Sequence, residues 1–219
     1  MAKQWKMKEL EEFGRVQLSK TLFMREFLYS EISQIEEIPN LPDDPDLAIE
    51  AGKNLCEKVL EPIQDAFGRI SIRSAYRSCD VNQRGNEKGF NCAANEKNYA
   101  GHIWDRRDEK NFIGATACVI VTSFIPYYQK TNDWTALAWW IHDNVPAYAN
   151  MTFFPKLAAF NITWYEDPNY SKYIYSYVED PNTGKHSGYL TKEGMNNFNG
   201  LHQESYNTFI EQLKNEDAK

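Results

Sequence analysis

The sequence predicts an α+β protein in which helices pack on a central, mostly antiparallel sheet. Three observations carry this. Leu47, Ala51, Leu55, Val59, Ile63 and Phe67 recur every fourth residue, which is one apolar stripe of a long helix. In 69–77, Ile70, Ile72, Ser74 and Tyr76 alternate with Ser71, Arg73, Ala75 and Arg77, the period of a strand. Residues 114–121 form a nearly unbroken apolar run, as in a strand buried on both faces.

In chain order, the first forty residues read as helical, with Leu22, Phe23, Phe27, Leu28 and Ile32 at roughly helical spacing. Pro39, Pro42, Asp43, Asp44 and Pro45 break that pattern, and the long helix follows. Cys56 and Leu60 widen its stripe, and Gly68 closes it. After the first strand, 78–100 is polar and rich in Asn and Gly, hence a long loop. Trp134 to Ile141 reads as a buried helix, and 151–154 with 158–165 as a strand pair. Residues 172–178 alternate as another strand, a turn is expected at Asn182–Gly184, and an amphipathic helix near 202–214 follows. No repeat or linker divides the chain. A single domain over 1–219 is expected, with a core at about 20–166 and an extension at 167–219.

Composition narrows the function classes. With 24 basic and 31 acidic side chains the net charge is −7, which argues against a general nucleic-acid binder. A hydrophobic content of 42% excludes a disordered chain. Residues 1–12 lack the apolar region of a secretory signal, and no run of about 18 apolar residues offers a membrane span. Cys56, Cys79, Cys92 and Cys118 are spaced too widely for a zinc ribbon and too sparsely for a disulfide scaffold. They read as reduced thiols of a cytoplasmic protein, with a Cys79–Cys92 pair across the loop as the alternative.

Three clusters carry potential chemistry. Ser74-Ala-Tyr-Arg77, with Asn82 after it, offers an arginine fork for a carboxylate or phosphate. The plainer reading is of strand arginines paired with surface acids. His102-Ile-Trp-Asp105, Asp108 and Cys118 supply metal-competent side chains, although a histidine beside a tryptophan and a thiol in an apolar strand are more often structural. His142-Asp143 offers a ligand or base on a Trp-rich helix, where a core histidine is commoner. His186 and His202 read as surface residues, and Glu166-Asp167 as a loop acid pair. The Tyr-rich stretch 170–177 reads as sheet surface and core.

In this order the pieces resemble the zinc D-alanyl-D-alanine carboxypeptidase/dipeptidase superfamily (the VanX/VanY, Hedgehog-like fold, with relatives among phage endolysins). That family carries a long helix, then a strand ending S-G-Y-R with an Asn after it, then S-x-H-x-x-G-x-A-x-D, and later a ligand histidine. Ser74-Ala-Tyr-Arg77 with Asn82 matches the first motif, Ala75 replacing glycine. Ala100-Gly-His102 and Gly114-Ala-Thr-Ala-Cys118 occupy the second, around an insertion holding Trp104, Asp105 and Asp108. Asn161-Ile-Thr-Trp-Tyr165 occupies the last strand.

The resemblance implies a hydrolase acting on a peptide or amide bond through an altered zinc site. His102 and Cys118 would hold the metal, and Asp105 or Glu166 would serve as base. Ser74, Tyr76, Arg77 and Asn82 would bind a small peptide or anionic ligand. Cys118 stands in place of the family's aspartate, Tyr165 in place of its last histidine, and Asn161 or Ile162 in place of its acid. These exchanges imply the alternative too, an inactive binding module that uses the former cleft around Arg77 for a peptide, nucleotide or protein partner.

Overall fold

A computed structural model describes residues 5–180 and 183–217. The long helix is three pieces end to end. It is preceded by α1 (Met7–Gly14), a 3₁₀ turn at Met24–Phe27 and α2 (Glu31–Glu36). The first forty residues are therefore less helical than expected. Leu22 and Phe23 lie in a reversal closed by a Gln17–Phe23 bridge, and Leu22 is buried from there.

Asp44 caps α3 (Pro45–Leu55), its carboxylate accepting from the Leu47 amide at 3.1 Å, with Pro45 pre-set at the first helical position. A π-helical turn, Cys56–Leu60, links it to α4 (Glu61–Phe67). That turn explains the strict four-residue spacing of the stripe. In a regular α-helix each four-residue step drifts by about 40°, so the stripe would wind off the core. The wide turn takes back part of the drift, and Ala51, Leu55, Val59, Ile63 and Phe67 all stay buried. Pro62 has no amide proton for an α-type bond, and the Glu61 amide instead reaches Cys56 O, five residues back. Gly68, at φ +77°, ends α4 in a conformation that favours glycine.

Six strands form one mixed sheet: β1 (Ile70–Ser74), β2 (Gly114–Val121), β3 (Asn150–Phe153), β4 (Phe160–Tyr165), β5 (Tyr173–Glu179) and β6 (His186–Lys192), in the order β1-β2-β4-β3-β5-β6. All pairings are antiparallel except β3 with β5. β6 was not anticipated: its residues are largely exposed and only pairing with β5 makes them a strand. Of the expected turn at Asn182–Gly184, Asn182 lies outside the described residues. The Thr183 and Gly184 amides both donate to Asp180 O.

Ala115, Ala117, Val119 and Val121 on β2, with Phe160, Ile162 and Trp164 on β4, face the core over α3. The expected loop 78–100 contains α5 (Cys79–Glu87), capped by the Ser78 hydroxyl. α6 (Ile125–Thr131) and α7 (Thr135–Asn144) precede β3, and α8 (Gln203–Asp217) packs on α7. The core runs from Phe13 to Phe209 and takes Ile174, Val178, Tyr206 and Phe209 from the expected extension.

The sheet splits where the candidate site lies. A bulge between Ile72 and Ser74 turns β1 away from β2 beyond the Ser74–Cys118 pair. The segment at Gly101–His102 fills the opening: the Thr116 amide donates to Gly101 O at 2.9 Å, and the Arg77 amide to His102 O at 2.8 Å. Gly114 makes the fit. A Cβ there would lie 2.3 Å from Ala100 O and 3.0 Å from Trp164 O, both backbone atoms. Gly114→Ala is therefore expected to cost about 2–3 kcal/mol in urea unfolding. A loss under about 0.5 kcal/mol would show that the segment yields freely.

Candidate functional site

His102 occupies the fork between the diverging strands. Its Nδ1 lies 2.7 Å from Ala75 O. A carbonyl only accepts, so Nδ1 carries the proton and Nε2 keeps a lone pair. The ring is buried, and burial first, then the Arg77 charge, push its pKa down to about 3 against the opposing Ala75 bond. His102 is accordingly neutral at ordinary pH.

An asparagine relay holds it in place. The His102 amide donates to Asn98 Oδ1 at 3.1 Å, Asn98 Nδ2 to Asn82 Oδ1 at 2.6 Å, and Asn82 Nδ2 to Ala93 O at 2.9 Å and Asn95 Oδ1 at 2.8 Å. Asn82, expected to touch a ligand, is fully buried as the hub of this relay. Arg77 is half-buried beside it, its Nη1 3.2 Å from Cys92 Sγ and 3.5 Å from Asn82 Oδ1.

Cys118 is buried, paired in register with Ser74 on one side and Asn161 on the other. Burial raises the pKa of its thiol, although an Arg73 hydrogen bond and the charges of Arg73 and Arg77 oppose this. Glu31 is the acidic group sharing that environment. The four cysteines are all free thiols. Arg15, Arg69, Arg84, Arg106 and Arg107 each face a carboxylate. Arg73 and Arg77 form no such pair among the described residues.

The remaining expected residues serve the scaffold. Tyr76 is fully buried and its hydroxyl donates to Asp105 Oδ1 at 3.2 Å. Asp105, 2% exposed, also accepts from the Asp43 amide at 2.8 Å and from Arg106 Nη1 at 3.3 Å. Burial raises its pKa, partly offset by the Asp43 amide and the Arg106 charge. Glu166 accepts from the Ile113 amide at 2.9 Å and pairs with Arg107 at 3.6 Å, tying the end of β4 to the start of β2. Tyr165 donates its hydroxyl to Asp108, and burial with that carboxylate raises its pKa. The charge that acts on His102 is that of Arg77, not of either proposed base.

The donor set does not fit a zinc ion at His102 and Cys118. Zinc takes three or four ligands, with any cysteine as thiolate. Here there are two donors, one a thiol that burial keeps protonated. Among the described residues the one grouping of three closely spaced ligands is elsewhere, at His142, Asp143 and His202. Sequence reasoning placed His202 on the surface, but its side chain is only 14% exposed and stacks on Trp139 at 3.8 Å. His202 Nδ1 lies 2.7 Å from Asp143 Oδ1 and Nε2 2.9 Å from Asn197 O. His142 Nδ1 lies 2.5 Å from the Tyr148 hydroxyl and Nε2 2.8 Å from Phe198 O. All four ring nitrogens are thus engaged, and the grouping clasps α7 to the segment entering α8. Comparison with protein-family models, curated proteins and solved structures found no match for the chain.

Proposed function

We propose that this protein is a recognition module, a divergent relative of the D-alanyl-D-alanine peptidases in which the residues around the sheet fork bind the carboxylate end of a short peptide. The observation that carries this reading is the pair Arg73 and Arg77, two guanidinium groups without a carboxylate partner, in a chain of net charge −7. An anion bound by such a guanidinium gains charge-assisted hydrogen bonds. The His102 Nε2 lone pair accepts an N–H, and a peptide C-terminus offers an N–H close to its carboxylate.

Catalysis is less well supported. A base works best with a pKa near the working pH, and His102 is held near 3. Asp105 is committed through both oxygens, to Tyr76, the Asp43 amide and Arg106, and Glu166 Oε2 is committed to the Ile113 amide and Arg107. The His102 and Cys118 donor pair does not fit zinc and so supports no metal-dependent step.

The test is calorimetric titration of short peptides with a free C-terminus against the same peptides amidated. Hydrogen bonds to charged groups contribute about 1.5–3 kcal/mol, so amidation should weaken binding about 10- to 100-fold. Arg77→Ala should do the same and Arg77→Lys less. Equal affinity for acid and amide would overturn the reading. Turnover of the peptide that disappears in His102→Ala would instead establish the hydrolase.

A further inference from the structure

Glu61, the first residue of α4, is 5% exposed. Its Oε1 is saturated: Ser19 Oγ donates at 2.6 Å, the Thr21 amide at 2.9 Å and Thr21 Oγ1 at 2.6 Å. Its Oε2 is buried and accepts no hydrogen bond. Lys20 Nζ is 3.9 Å away, beyond hydrogen-bonding reach, and donates to Asp65. Burial opposes ionisation of Glu61, but the Ser19 and Thr21 bonds and the Lys20 charge outweigh it and lower its pKa. A buried ionised oxygen without a donor is costly, and native structures rarely leave one.

This carboxylate lines a cavity of about 630 Å³, walled also by Leu22, Phe23, Glu26, Gln64 and Arg69. The volume lies in the range that holds small ligands. Two of the neighbouring cations are paired: Arg69 faces Glu26 at 3.8 Å and Lys20 holds Asp65; Arg25, also in the wall, turns its Nε to Gly14 O at 3.1 Å. Phe23, 40% exposed, gives the cavity an apolar wall.

We propose that this cavity binds a small organic cation, a primary ammonium or guanidinium on a partly apolar body, whose N–H donates to Glu61 Oε2. A hard metal ion fits less well, because it needs several oxygens around it. Glu61 has no two further His, Cys, Asp or Glu ligands close by among the described residues. A single carboxylate oxygen beside an apolar wall suits an ammonium carried on a ring or chain. The π-helical turn sets up the site. The Glu61 amide closes that turn on Cys56 O, and this places the side chain against the Ser19–Thr21 reversal.

The test follows backbone amide resonances of Leu22, Phe23 and Gln64 in the full chain during titration with benzylammonium chloride and, separately, with neutral benzyl alcohol. Benzylammonium should shift them saturably, benzyl alcohol at least about tenfold more weakly. Glu61→Gln should weaken benzylammonium about tenfold, and Lys20→Met, which removes the competing cation, should strengthen it. If Glu61→Gln fails to fold, the Glu61 carboxyl carbon of the wild type, ¹³C-labelled, should move with benzylammonium and not with the alcohol. Absence of saturable shifts, equal response to the alcohol, unchanged binding in a folded Glu61→Gln, or a stationary carboxyl carbon would each overturn the proposal.

Discussion

Trp104→Ala is expected to destabilise the protein by about 3–5 kcal/mol, the range for deleting a large buried aromatic. Trp104 is fully buried. Its ring lies 5.4 Å from Phe27 and 6.0 Å from Tyr76, against Gly52 of α3, and Nε1 donates to Thr116 O at 3.2 Å. Alanine leaves a cavity there and removes the donor from a β2 carbonyl. Trp104→Phe keeps most of the volume and loses the hydrogen bond, so it should cost about 1–2 kcal/mol. Because His102 is on the same segment, carboxylate binding at the fork should weaken with stability. Urea unfolding reads the first effect, and a loss under about 1 kcal/mol for Trp104→Ala would contradict this account of the packing.

Acidification should produce the second large effect. Folded His102 stays neutral down to about pH 3, whereas in the unfolded chain it takes a proton near 6.5. Below 6.5 the unfolded state therefore binds one more proton, and stability falls with pH until the folded group also titrates. Its contribution is fully present above 6.5. Between pH 6.5 and about pH 4 the loss approaches about 3 kcal/mol at roughly 1.4 kcal/mol per pH unit. His142, also shifted down, chiefly by burial, adds a loss of the same sign. The diagnostic quantity is thus the difference in slope between wild type and His102→Gln, whose amide can still donate to Ala75 O. Chemical denaturation from pH 7 to pH 4 should give the variant the shallower slope, and parallel slopes would sink the assignment.

The parts of the fold that were legible in the sequence are those where burial dictates pattern. β2 shows as an apolar run because both its faces are covered, and the stripe from Leu47 to Phe67 shows because one helix face fills the core. What stayed hidden depends on distant partners. α5 contains Asn82, Gly85 and Asn86, poor helix formers, and is held by side-chain bonds to Ala93, Asn95, Asn98 and Cys92 that no local propensity encodes. The single parallel pairing, β3 with β5, joins segments whose periodicity would suit either direction.

The site was legible in its residue types but not in its geometry. The sequence placed Arg77 at the end of a strand and His102 after a loop. Only the bulge at Ile72–Ser74 shows why the two meet. Asp105 and Glu166 looked suited to proton transfer because carboxylates are, but their hydrogen bonds to backbone amides, Tyr76 and arginines are tertiary facts. The clasp of Asp143 and His202 likewise joins residues far apart in the chain, with no spacing rule to announce it.

α8 brings Phe209 to a nest formed by Phe67, Phe124 and Tyr127, with ring centroids 5.3, 4.7 and 5.3 Å away. Those three rings belong to segments made much earlier during translation. A growing chain therefore carries an uncovered aromatic patch until residue 209 has cleared the ribosome. Exposed hydrophobic surface of that kind makes incomplete chains prone to aggregate. Completion of the core is consequently a late event in synthesis, waiting on the residues of α8 that enter it, Tyr206 and Phe209.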